Sequence, residues 1–441
     1  MTPRKTLFQL TWPTYIEFSF LMFMMVADTL MLSQYSDASV AAVGNANRII
    51  FLLTVIVNIV AIGVGVVVSQ YIGANREKDS HKALQAGLYG AFFMAFLLLV
   101  SLQIFAPSLL GLVNTPEAIY EEALTYLRIV GLGLVFVALS QTTGAGFRSF
   151  GYPKRVMVAG ASANLLNIGL NALLIFGVWG APELGVMGAA IATLTARFFN
   201  AGILLMSLIY EKIIDITVSI KRLVKYLKEV VTIGFPSALE QFIYQLSEFV
   251  ILIMVNTIGT LAVTTQIYVF NLSLPVLIFA ISLAQGNQVM VGWHIGALED
   301  GKAYRRTIRT MIIGLLSVLG ITLLVYFNAR PLLSIFTDNP DIIATGQRVL
   351  LVFIFLEMGR LSNIVVIQAL RATGDVKYPV VAAIFSMGLI KIPVAYILVF
   401  IFDIGLLGIF IAIAADEIVR GALVFYRWFK QPWRDKERVI S

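Results

Sequence analysis

Cysteine is absent from this 441-residue chain, and histidine occurs only at His81 and His294. Without thiols there is no disulfide framework, thiolate zinc site, iron–sulfur cluster or cysteine nucleophile. No HExxH pair is present, so a resident metal cofactor is not expected. Neither GxGxxG nor GxxxxGK(S/T) occurs to hold a nucleotide. Charge is scarce too: 13% of residues are charged and 59% are hydrophobic. A soluble domain is about a quarter charged, so this chain has too little polar surface to face water. Its natural solvent is lipid. No clustered catalytic residues stand out, and an enzyme is not expected.

Long apolar sequence is what the chain has in abundance. A helix needs about 20 mostly apolar residues to cross the hydrocarbon. Twelve such segments are present, at 11–34, 43–70, 83–106, 119–143, 156–178, 185–210, 232–256, 262–290, 307–328, 342–369, 378–401 and 405–428. Lys and Arg gather in alternate connections. Arg76, Lys78 and Lys82 follow the second segment, and Arg148, Lys154 and Arg155 the fourth. Lys302, Arg305, Arg306 and Arg309 follow the eighth, and Arg371 and Lys377 the tenth, with further groups in both tails and near 211–230. The opposite connections hold almost none, Arg330 being the main exception. Basic connections stay in the cytoplasm. The pattern predicts a multi-pass protein of the cell (inner) membrane of a prokaryote, with both termini cytoplasmic. It also accounts for the net charge of +7 without a nucleic-acid partner. The basic lead MTPRKTLFQLTWP lacks a small-residue cleavage site and is expected to enter a retained first helix.

The stretch EKIIDITVSIKRLVKYLKEV is the one extended polar connection near the middle, expected along the cytoplasmic surface as a partly amphipathic helix. It divides the chain into an N-terminal lobe (1–210), a linker (211–231) and a C-terminal lobe (232–441). The halves match at an offset of 223 residues. Pro13 pairs with Pro236, Gly63 with Gly286, Arg148 with Arg371, Gly151 with Gly374 and Lys154 with Lys377. Six spans per half is an even number, so the repeat is parallel, with its axis along the membrane normal. The expected fold is an all-α integral membrane protein of about 12 transmembrane helices, in two pseudo-symmetric six-helix lobes around a central cavity. Two lobes that rock about a cavity are a recurring transporter plan.

Ionisable groups inside a membrane are costly and mark function by default. The sharpest is Asp28, in FMMVADTLMLSQ, about 25 Å along its helix from Thr11 at 1.5 Å per residue. It could take a proton outside and release it inside, or hold Na⁺ with oxygen ligands. Asn164, Asn167 and Asn171, spaced three and four apart, are expected on one face of the fifth segment. Asn171 lies about 22 Å in from Val156, close to the depth of Asp28. A polar pocket joining Asp28 to these asparagines is one reading; interhelical hydrogen bonding without transport is the other. Met24, Met25 and Met31 flank Asp28 and offer soft, adaptable walls to a substrate cavity, to which Glu240 could contribute from the second half. Glu357 and Arg360, three apart, could pair with each other. Asp416 and Glu417 could pair with Arg420. Glu248, Lys391 and Arg197 are intramembrane charges without an assigned partner.

At these residues the chain resembles the multidrug and toxic compound extrusion (MATE) family, over nearly its whole length. LTWP followed by the Asp of ADTLMLSQ looks like that family's first helix. GFRSFGYPK at 146–154 and ALRATGDVK at 369–377 are similar to its motif after the fourth helix of each half, and PSALEQ at 236–241 looks most like the DinF-type branch. The resemblance implies twelve helices in two lobes and export of small cationic or amphipathic compounds in exchange for H⁺ or Na⁺, with Asp28 as the coupling carboxylate. No cofactor is expected, the expected partners are small-molecule substrates and membrane lipids, and the protein is expected to be a monomer. The chain departs from the family where a second acid is expected on the fifth helix, which is Asn171 here. The acid expected on the tenth helix falls at Arg360. One carboxylate should hold Na⁺ less tightly than two, which favours H⁺. A flippase for lipid-linked cargo is the alternative within the same superfamily.

Overall fold

The computed structural model describes residues 5–213 and 220–434, and among these there is no strand. They form two compact units. The first comprises residues up to Ile72 and Arg76–Ala238, and the second runs from Leu239 onward together with Gly73–Asn75. The helices in chain order are α1 (Leu7–Tyr35), α2 (Asp37–Gly73), α3 (Glu77–Leu112), α4 (Glu117–Leu132), α5 (Leu134–Ser149), α6 (Pro153–Phe176) and α7 (Gly185–Tyr210). There follow α8 (Ile220–Ile258), α9 (Thr260–Gly296), α10 (Asp300–Phe327), the short α11 (Ala329–Leu333), α12 (Pro340–Ala372), α13 (Lys377–Ser386), α14 (Ile392–Tyr396) and α15 (Leu406–Lys430).

Ten of these stretches are long and apolar enough to cross a membrane, and the bent pair α4–α5 makes an eleventh. At 25 residues, α15 spans about 37 Å at 1.5 Å per residue, more than the hydrocarbon thickness. Its Asp416, Glu417 and Arg420 are buried against one another and so do not face lipid. Counting α15 gives twelve.

Local chemistry sets the ends. Thr6 caps α1 reciprocally, its hydroxyl accepting from Gln9 N while the Gln9 side chain accepts from Thr6 N. Pro153 opens α6 in the first turn, where a missing N–H costs nothing.

Three expectations shift. The segment 119–143 is not one straight helix: α4 and α5 meet at a 43° bend at Gly133. There the Val130 carbonyl accepts from Arg197 Nη1 at 3.1 Å, so a side chain occupies a carbonyl at the bend. The segment 378–401 runs through α13 and α14 with π-helical turns at Met387–Lys391 and Ile397–Ile401. Pro393 supplies no N–H there, and wider turns re-pair the backbone around it. Of the linker 211–231, residues 214–219 lie outside the described residues, and 220–231 are the opening turns of α8 rather than a separate surface helix.

The duplication is visible in the backbone. Asn75 and Leu298, 223 positions apart, both take left-handed φ, 57° and 61°. Gly151 and Gly374 do so as well, at 83° and 86°. A leucine there carries a strain that a glycine would not, so the turn geometry is imposed by the helices on either side. The side chains repeat too. Arg148 donates to both oxygens of Glu17 at 3.1 and 3.0 Å in the first half, and Arg371 donates to Glu240 at 2.7 Å in the second. Glu17 and Glu240 stand at the same offset. Each pair ties the first helix of its half to the end of the helix before the motif loop.

Candidate functional site

One face of α6 is buried in a regular stripe of Val156, Ala159, Ala163, Asn167, Asn171 and Ile175. Steps of three and four place these residues on one side of a helix. Two asparagines therefore occupy positions that apolar residues hold elsewhere in the stripe. Against that face lies α1. Asn171 Nδ2 donates to Asp28 Oδ1 at 2.6 Å and to Asn167 Oδ1 at 3.1 Å. The structure thus brings Asp28, Asn167 and Asn171 together. Asn164 does not join them. It is only partly buried.

A cavity of about 100 Å³ opens beside the carboxylate. Its polar lining is Asp28, Asn47, Tyr126, Asn171 and Thr193, and its apolar walls include Met25, Leu32, Val43 and Ala189. That volume accommodates several water molecules. Asn171 Oδ1 and Asn167 Nδ2 are buried and have no partner among the described residues, so the amides hold unused hydrogen-bonding capacity. Of the three methionines expected to flank the site, only Met25 reaches the cavity. Met24 is partly buried, and Met31 packs against the core around Leu32. Asn47, Tyr126 and Thr193 were missed in sequence. They come from α2, α4 and α7, and no spacing along the chain links them. A signal for Thr193 was its place one turn before the intramembrane Arg197.

The pocket is not duplicated. Ile251 stands at the offset position of Asp28, and Val394 at that of Asn171. The second half instead buries a network of ion pairs. Arg420 bonds Asp416 at 3.0 Å and Glu417 at 2.9 Å. Arg360 pairs with Glu357, as their spacing suggested, and reaches Glu417 at 3.5 Å. Asn363 donates to Glu417 at 2.9 Å, and Ser386 to Asp416 at 2.6 Å. Lys391 is fully buried and donates to Glu248 at 2.5 Å and Ser247 at 3.0 Å, with its ammonium 5.1 Å from the Tyr244 ring centre. Glu240, expected to line a cavity, is 7% exposed, and its carboxylate is engaged by Arg371. In this structure it is half of an ion pair and not a free cavity wall.

Repeated turns, a repeated ion pair and a carboxylate–amide pocket inside one half only define a polytopic α-helical membrane transporter built by duplication. The chain belongs to the MATE family: the MatE family pattern matches residues 13–173 and again 236–397, two stretches that start 223 residues apart. It is 38% identical over 436 residues to the uncharacterized transporter YisQ of Bacillus subtilis, covering 98% of this chain and 95% of the relative. It is 28% identical over 453 residues to the probable multidrug resistance protein NorM of Thermotoga maritima, covering 99% and 95%. Among solved structures it is similar to a MATE protein in the bent conformation, with a TM-score of 0.89 at 19% identity, over 98% of this chain and 96% of that one.

Proposed function

We propose that this protein is a secondary active multidrug antiporter that exports cationic or amphipathic compounds by alternating access in exchange for a cation, and that the cation is H⁺. The observation that carries the reading is the 2.6 Å contact from Asn171 to Asp28, beside a cavity with room for water. An intramembrane carboxylate with a water-accessible side can bind and release a cation while the lobes change state. The names of the Thermotoga maritima relative and of further relatives as probable multidrug resistance proteins support the substrate class.

A proton is favoured because the cavity holds one acid, Asp28, while the family's second acid is replaced by Asn171. Na⁺ is the second reading. It is favoured by the unpartnered Asn171 Oδ1 beside the oxygens of Asn47, Tyr126 and Thr193, the ligand type that hard cations prefer. A lipid-phosphate flippase would need intramembrane cations free to hold phosphate. Lys391, Arg360, Arg371 and Arg420 are engaged by carboxylates and Arg197 by the Val130 carbonyl, which counts against that cargo. We place the protein in the inner membrane with both termini cytoplasmic, working as a monomer on small molecules.

The test is substrate efflux in everted vesicles. Asp28→Asn abolishes transport driven by a pH gradient while the protein still inserts and elutes as a single species. Retained pH-driven transport in that variant would refute the role. The same assay with a sodium gradient at fixed pH separates the two ions.

A further inference from the structure

Arg306 lies on α10 about 9 Å from the helix start at 1.5 Å per residue, partly buried against α9. Its Nη2 donates to Met290 Sδ at 2.9 Å, and its Nε is buried with no partner among the described residues. A thioether is a weak acceptor for a guanidinium. Glu299, at the N-cap position of α10, is already held by Lys302 at 2.5 Å and His294 at 3.0 Å. Neither Arg306 nor Arg309 forms a salt bridge among the described residues. Beside Arg306, fully buried Asn287 donates Nδ2 to Thr307 Oγ1 at 3.3 Å and leaves its Oδ1 unpartnered. The hydroxyl of fully buried Thr310 is unpartnered as well.

The fold does not require this polar seam, because the other half is built without it. At the 223-residue offset, Arg306 and Arg309 are replaced by Ala83 and Ala86, Asn287 by Val64, and Thr310 by Gly87. There the packing is tight: a Cβ on Gly87 would meet Val64 Cγ2 at 2.2 Å. Where the first half has small apolar residues, the second has a partly buried guanidinium at Arg306, an exposed one at Arg309 and unused buried polar atoms, and the buried groups are a cost unless something anionic completes them.

The exposed face says what kind of anion. Ile312, Ile313 and Leu316 follow Arg309 at three, four and seven residues and are 51%, 46% and 67% exposed. That spacing makes one apolar stripe running from the arginine into the span. We propose that the α9–α10 seam binds the phosphate headgroup of an anionic membrane lipid, held by Arg306 and Arg309, with the acyl chains along the stripe. Guanidinium suits phosphate because its planar donors can bind two oxygens at once. A depth of about 9 Å from the helix start suits the interfacial layer where headgroups lie.

Native mass spectrometry of the full-length protein in detergent tests this, with phosphatidylglycerol, phosphatidylcholine of the same chains, and inorganic phosphate as probes. The wild type is expected to bind phosphatidylglycerol in preference to phosphatidylcholine, and millimolar phosphate is expected not to displace it. Arg309→Gln should weaken phosphatidylglycerol about tenfold, and the Arg306→Gln, Arg309→Gln double variant should erase the preference. Unchanged phosphatidylglycerol binding in Arg309→Gln overturns the site. Displacement by inorganic phosphate overturns the lipid assignment and makes it a soluble-anion site. Should the double variant fail to fold, Arg309→Gln alone decides, because that side chain is exposed.

Discussion

At the scale of single residues, Asn171 does two jobs with one nitrogen. It donates to Asp28 and to Asn167 and leaves its own oxygen idle. A hydrogen bond to a charged group contributes about 1.5–3 kcal/mol, and an orphaned buried acceptor costs about 1–3 kcal/mol. Asn171→Leu should therefore lower unfolding stability by about 1–3 kcal/mol. Combined with Asp28→Ala, which removes the acceptor, the loss should fall short of the sum of the two single losses, because both remove the same contact. Thermal unfolding of the four proteins in one detergent measures the coupling, and strict additivity would show that the contact carries no energy. Asp28 was legible in the chain as an acid inside a long apolar run, and the two buried asparagines because a period of 3.6 orders residues within one helix. Asn47, Tyr126 and Thr193 were not legible, since tertiary packing alone brings three other helices to the same cavity. The partners of Lys391 and Arg197 were hidden for the same reason: Glu248 and the Val130 carbonyl lie far from them in sequence.

At the scale of elements, α2 and α8 cross with their backbones in contact. A Cβ on Gly63 would lie 2.0 Å from the Val230 carbonyl oxygen, and one on Gly234 would lie 1.9 Å from that of Ile59. Each helix thus offers a glycine to the other's main chain, the arrangement by which small residues let membrane helices approach. The crossing is pinned by side chains nearby. Tyr71 donates to Glu229 at 2.8 Å, and Tyr226 to Asp79 at 2.7 Å. This explains why the sequence misread residues 220–231. Their charge suggested a surface linker, but Tyr226, Glu229 and Val230 are docking residues, and charge composition does not report docking. Gly234→Ala must push the helices apart and should cost about 1–3 kcal/mol or more. Gly202→Ala on α7 meets nothing within 4 Å and should stabilise by about 0.5–1 kcal/mol through helix propensity. Thermal midpoints of the two variants should move in opposite directions. A Gly234→Ala protein as stable as the parent would remove the close crossing.

At the scale of the whole molecule, duplication was the most legible feature, because an offset of 223 needs only a few matched residues to be seen. Its divergence was less legible. The offset that pairs Arg148 with Arg371 also pairs Glu17 with Glu240, yet Glu240 read as a free cavity acid until its geometry was known. The two ion pairs share a design and differ in burial: the side chains of Glu17 and Arg148 are each 18% exposed, against 9% and 4% for Glu240 and Arg371. Burial decides what breaking each pair costs. Removing one member of a buried pair strands a charge and costs about 3–5 kcal/mol; a pair nearer water loses less, about 1–3 kcal/mol. Glu240→Ala should therefore lower the thermal midpoint more than Glu17→Ala. Removing Arg371 as well should recover part of the loss, since the stranded charge leaves with it. A Glu240→Ala, Arg371→Ala protein less stable than Glu240→Ala alone would mean that Arg371 has work beyond this acid, for which its contact with Gln368 at 3.5 Å is the first place to look.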